Sequence, residues 1–241
     1  MISTRRNTIP ALGKADFNTT SNTLIYFPCA HSGRSRSVKT LYDVGETGII
    51  LNDNVDTFTD GTVKNSITST WSAKTIDGTL PNLSTKSFLF WGHANLVASG
   101  AFCSFVMGGV ITNRVGGIMS GSAWKVDDGT TTVSSVVFTA GVVGQDVFRA
   151  LVVDRTLGKI HAWESINGAT VSAMASTSLG SLGAVDLSSE TVVSVGGAVA
   201  QNIYGSGLHI LDSVDTTALT TTLEALRVAS KTAGKVLPNG L

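Results

Sequence analysis

Residues 147–175, VFRALVVDRTLGKIHAWESINGATVSAMA, leave this chain few ways to fold. They read as three strands in a row, joined by short turns at residues 155–158 and at Asn167-Gly168. Similar Asx-Gly pairs recur at Asp60-Gly61, Asp77-Gly78 and Asp128-Gly129. Asp, Asn and Gly tolerate the positive φ angles of tight hairpins, so these pairs are strong short-range hairpin signals. With the hairpin around Asp127-Asp128-Gly129, the pattern predicts one antiparallel meander over residues 116–175. The strand at 147–153 is apolar on both faces apart from Arg149, which predicts a central position with cover on each side. The strand at 159–166 alternates, with Ile160, Ala162, Glu164 and Ile166 on one face and His161, Trp163 and Ser165 on the other.

Further strands are expected at 24–28, 48–51, 66–71, 87–91 and 101–107. Downstream, residues 192–226 read as a strand, a glycine break, a second strand and a short amphipathic helix. Thr221-Thr222-Leu223-Glu224 matches a capping box, and Leu219, Leu223 and Leu226 share one helical face. Arg227 and Lys231 complement the C-terminal end of the helix dipole. The helix is expected to lie on the sheets as a lid, with the tail TAGKVLPNGL irregular. Only 14% of residues are charged and only 4 are Pro, against 26 Gly and 42% hydrophobic residues, which excludes a charged or Pro-rich disordered chain.

The run FRALVVDRTLGKIHAWESINGATV resembles the middle of the concanavalin A-like lectin/glucanase superfamily, in particular its laminin-G-like jelly rolls. There an apolar strand, a D-R-x-x-G turn, a strand, an N-G turn and another strand follow one another. The segments VVSVGG and IYGSGLHILDSVDTTALTTTLEAL resemble the ending of such domains, and SFLFWGHA falls where they have an early core strand. The resemblance covers residues 85–228. It implies an all-β fold, an antiparallel jelly-roll β-sandwich with one short C-terminal helix near residues 220–230. Residues 1–40 then form a basic N-terminal arm with the first strand, and 41–241 the lectin-like sandwich.

Net charge is zero but unevenly spread. Residues 1–40 hold Arg5, Arg6, Lys14, Arg34, Arg36 and Lys39 against Asp16 alone, leaving 11 positive and 16 negative side chains in the remainder. Such an arm either docks on an acidic surface, a neighbouring subunit or nucleic acid, or is simply a solvated terminus. No apolar run has the length of a membrane span or the form of a signal-peptide core. Cys29 and Cys103 are too few for a disulfide framework and are expected to be buried free thiols, so a soluble protein made in a reducing compartment is expected. A soluble jelly roll with a basic arm also resembles the structural proteins of tailed-bacteriophage virions.

Catalytic patterns are weak. Glucanases of this fold resemble one another in a strand of alternating acids, yet the four glutamates, Glu46, Glu164, Glu190 and Glu224, have no acidic neighbour in that pattern. No G-x-S-x-G elbow, P-loop or H-E-x-x-H is present. His31, His93, His161 and His209 are scattered, and GSGLH at 205–209 reads as a close backbone approach at a sheet edge. The run LNDNVDTFTDG holds Asp53, Asp56 and Asp60 but fails calcium-loop spacing, and turn chemistry explains it. No cofactor or metal is expected.

Of the tryptophans, Trp91 and Trp163 read as core. Trp124 stands nearest a loop rim, with Asp127 and Asp128 as hydrogen-bonding neighbours for a sugar. The main expectation is a non-enzymatic virion protein, a capsid decoration module anchored through Arg5, Arg6, Ile9, Leu12, Lys14 and Phe17. Its partners are other virion subunits and further copies of itself, with no membrane and no nucleic acid. A tail or baseplate adhesin binding a surface glycan through Trp124, Asp127 and Asp128 is the alternative.

Overall fold

A computed structural model describes residues 24–28, 40–42, 50–52, 59–60, 67–69, 73–77, 79–96, 102–107, 115–120, 123–127, 132–139, 142–180, 186–188, 192–197 and 201–236. In chain order the strands are β1 (Leu24–Pro28), β2 (Thr40–Tyr42), β3 (Ile50–Asn52), β4 (Thr59–Asp60), β5 (Ile67–Ser69) and β6 (Ala73–Asp77). Then come β7 (Ser87–Asn95), β8 (Phe102–Met107), β9 (Val115–Ser120), β10 (Ala123–Asp127), β11 (Thr132–Val137) and β12 (Asp146–Asp154). The last are β13 (Lys159–Ile166), β14 (Ser172–Ala173), β15 (Thr177–Ser178), β16 (Val192–Gly197) and β17 (Gln201–Leu211), followed by the helix α1 (Thr216–Val236).

They form an antiparallel β-sandwich. The first sheet runs β14-β13-β12-β7-β17-β5-β4, with β1 added beside β17 and β15 beside β13. The second runs β11-β10-β9-β8-β16-β6-β3-β2. The expected meander over 116–175 is therefore divided. β9, β10 and β11 stay in the second sheet, whereas β12 and β13 belong to the first. Both hairpins exist, but the chain changes sheets between them, because β12 buries both of its faces and so belongs in a central position.

Local chemistry fixes the β12–β13 hairpin. The Asp154 carboxylate accepts the N–H groups of Thr156 at 2.9 Å and Leu157 at 3.0 Å, and Gly158 supplies the positive φ of 61°. After β13, Asn167 (φ 54°) and Gly168 (φ 80°) turn the chain, and Ala169 N–H closes on the Ile166 carbonyl at 3.1 Å.

β7 is the hub of the first sheet, paired with β12 on one side and β17 on the other. Its odd-numbered residues join the cluster Leu89, Trp91, Phe148, Ala150, Val152, Trp163 and Leu211, which packs beneath Leu219, Leu223 and Leu226 of α1. Trp91 stacks on Phe148 with ring centroids 5.8 Å apart. Phe88, Phe90, Leu151 and Val153 occupy the opposite face, equally buried. The first sheet is thus enclosed by the helix on one side and the second sheet on the other, as the doubly apolar strand at 147–153 requires.

Two expectations need correction. The helix is not short: it runs 21 residues, to Val236, and so takes in the first half of the segment expected to be irregular. Its cap is Asp215, whose carboxylate accepts the N–H groups of Thr217 at 2.9 Å and Ala218 at 3.0 Å, so the Thr221–Glu224 box is interior helix. The β-branched run Thr216-Thr217 and Thr220–Thr222 disfavours helix on propensity, and the burial of the three leucines overrides it. Nor does GSGLH lie at a sheet edge. β17 is internal, with β7 on one side and β5 then β1 on the other.

Candidate functional site

At one end of the first sheet the loop 142–145, the turn 167–168 and the last turns of α1 converge on Asp146. Its carboxylate accepts hydrogen bonds from Asn95 Nδ2 and the Tyr204 hydroxyl, each at 2.9 Å, and pairs with the Lys231 ammonium. Its backbone N–H donates to Asn167 Oδ1 at 3.2 Å. Burial alone would raise the Asp146 pKa, but the hydrogen bonds from Lys231, Asn95 and Tyr204 outweigh it and hold the carboxyl below its ordinary value. Burial and the neighbouring Asp146 charge push the Tyr204 hydroxyl up.

Behind this group lies His93, buried between Phe148 and Tyr204, with Nδ1 2.7 Å from Ser230 Oγ of α1. Burial drives its pKa down to about 3. Asp146 opposes that shift, and Lys231 and Arg227 reinforce it. His209 Nε2 accepts the Trp91 indole N–H at 3.0 Å, and burial lowers its pKa to about 3 as well. These are neutral, hydrogen-bonded structural histidines. His161 Nε2 stands 3.5 Å from Asp154 Oδ2 without a hydrogen bond.

The remaining described carboxylates that can be traced hold structure together. Glu164 faces Arg149 at 3.4 Å and accepts the Thr139 hydroxyl. Glu224 accepts the Val171 N–H at 2.9 Å and pairs with Arg227, which holds its carboxyl below the ordinary range. Asp186 accepts the Ser188 N–H at 3.0 Å. Among the described residues no group of three or more His, Cys, Asp or Glu side chains is arranged to hold a metal ion. No helix among them is long and apolar enough to cross a membrane.

Trp124 lies inside β10, across from Met119 of β9 and Val136 of β11. Asp127 ends the same strand, across from Gly116 and Thr132, and the register slips between Val126 and Asp127. The structure therefore brings Trp124 and Asp127 to one hairpin. Asp128, the next residue, lies outside the described residues, as do Arg5, Arg6, Ile9, Leu12, Lys14 and Phe17 and most of the LNDNVDTFTDG run. Trp91 and Trp163 are fully buried, as expected of core. The Asp146 group carries no sequence signal: Tyr204 and Lys231 stand 58 and 85 residues from Asp146 along the chain, at no diagnostic spacing.

No protein-family model and no curated protein sequence matches this chain. Solved structures do share its fold. A Trypanosoma rangeli sialidase in complex with 2,3-difluoro-KDN superposes with a TM-score of 0.51 at 10% identity, over 88% of this chain and 33% of the sialidase. A botulinum neurotoxin type C, whose cell entry depends on two ganglioside molecules, gives 0.55 at 8% identity, over 84% of this chain and 51% of the toxin chain. A GH54 α-L-arabinofuranosidase gives 0.50 at 12% identity, over 80% and 51%. What these structures share with the chain is the β-sandwich fold. This chain spans between a third and about a half of each of those chains.

Proposed function

We propose that this chain is a non-enzymatic glycan-binding module. The observation that carries the reading is the shared sandwich: sialidase, arabinofuranosidase and ganglioside-dependent toxin all handle saccharides. Support for the absence of hydrolysis comes from the carboxylates. Retaining hydrolysis uses two free carboxyls about 5–5.5 Å apart, and among the described residues Asp146, Asp154, Glu164 and Glu224 are each engaged by donors of the protein itself.

α1 covers the outer face of the first sheet, and on this reading the sugar is met by the second sheet and its loops. On the same reading Trp124 supplies an aromatic plane and Asp128, at the turn, an acceptor for sugar hydroxyls, whereas Asp127, three positions from Trp124 along β10, falls on the other face of the strand. The test is a glycan array followed by titration calorimetry on the full chain. Trp124→Ala is expected to weaken the best ligand at least tenfold with an unchanged melting temperature. Failure of the unaltered protein to bind any arrayed glycan would overturn the reading.

A virion role rests on a separate observation, the six cations against one acid in residues 1–40. It predicts that deleting those residues abolishes incorporation into particles and leaves glycan binding intact. Full incorporation of the truncated chain would exclude the anchoring arm.

A further inference from the structure

The face of the first sheet beneath α1 combines large apolar side chains with two buried imidazoles. His93 and His209 both occupy it, His93 touching the helix through Ser230 and His209 holding the Trp91 indole. The helix is attached in two ways. Its first half is fixed by Leu219, Leu223 and Leu226 and by the Trp163 indole, which donates to Thr220 Oγ1 at 2.8 Å. Among the described residues of its second half, Ser230 contacts His93 and Lys231 pairs with Asp146. The exposed connection of Asp212 and Ser213 joins it to β17.

We propose that α1 is an acid-released strap, which lifts from the first sheet when His93 and His209 take up protons and thereby uncovers the aromatic face of Trp91, Phe148 and Trp163. The inference is independent of the glycan reading.

The charges around the two sites decide the direction. His93 faces Asp146 from β12, the Tyr204 ring from β17, and Arg227 and Lys231 from α1. A proton on His93 therefore meets two helix cations and one carboxylate that is already paired with Lys231. For His209, burial dominates, and protonation of Nε2 removes the acceptor of the Trp91 indole N–H. Both imidazoles have a depressed pKa when closed, so closure is fully favoured above the ordinary value of 6.5. It loses ground as pH falls from there toward about 3. At pH 5 each imidazole that regains its ordinary value favours the open form about thirtyfold, and the two together about a thousandfold.

Amide hydrogen exchange on the full chain tests this, with rates corrected for intrinsic pH dependence. Protection of α1 is expected to fall by roughly a thousandfold between pH 7.5 and pH 5 while β12 and β13 keep theirs. Below pH 6 the slope should approach two decades per pH unit, since opening takes up two protons. The variant His93→Asn with His209→Gln, which retains a donor or acceptor at the bonded positions, should flatten the response. Equal loss of protection in α1 and β12, or a slope under one decade per unit, overturns the proposal, and the slope needs no variant.

Discussion

Arg149 is the residue whose burial asks most of its neighbours. It is closed off from solvent on the inward face of β12, with Nε 3.4 Å from Glu164 and the guanidinium 4.9 Å over the Phe138 ring. Burial depresses its pKa and the Glu164 carboxylate opposes that shift. Removing one partner of a buried pair costs more than the pair contributes, because the other charge stays desolvated. Glu164→Ala is therefore expected to cost about 3 kcal/mol in urea denaturation, and Arg149→Met with Glu164→Leu to recover most of that loss. A single-variant cost below about 1 kcal/mol would show that the ion pair does not anchor this end of the sheet.

Among the elements, α1 shows what a one-dimensional reading captures and what it misses. The leucine spacing was legible, and so was the covered face, because 3.6-residue periodicity survives in any context. The length and the cap were not, since threonine-rich turns look like strand or loop until a sheet is placed beneath them. Hairpins such as 154–159 were readable for the opposite reason: Asp154 and Gly158 determine the turn within a few residues. The Asp146 group formed no pattern along the chain, because its members come from β7, β12, β17 and α1. Truncating the true cap tests the helix boundary. Asp215→Ala should cost about 1 kcal/mol, a drop of roughly 2–4 °C in Tm for a chain of this size, whereas Thr221→Ala should leave Tm nearly unchanged.

For the molecule as a whole, the decisive pairing is β7 with β17. It joins segments more than a hundred residues apart, Phe88 across from Ile210 and Trp91 across from Gly207. Until that pair forms, β7 presents an unpaired edge of large apolar residues. A fragment of residues 79–180 contains β12 and β13 but neither β17 nor α1. It is expected to lack the dispersed amide spectrum of a folded sheet, and a dispersed spectrum would show that the β7–β12–β13 unit stands alone. Enclosure of this sheet on both sides also governs how the protein can diverge. A strand with one wet face accepts change at every second position, but β7 has eight consecutive buried residues and β12 likewise. Neutral drift is thereby channelled into turns such as 167–170 and the outward side of α1. Distant homologues should retain the unbroken blocks SFLFW and FRALVVD as their longest recognisable trace.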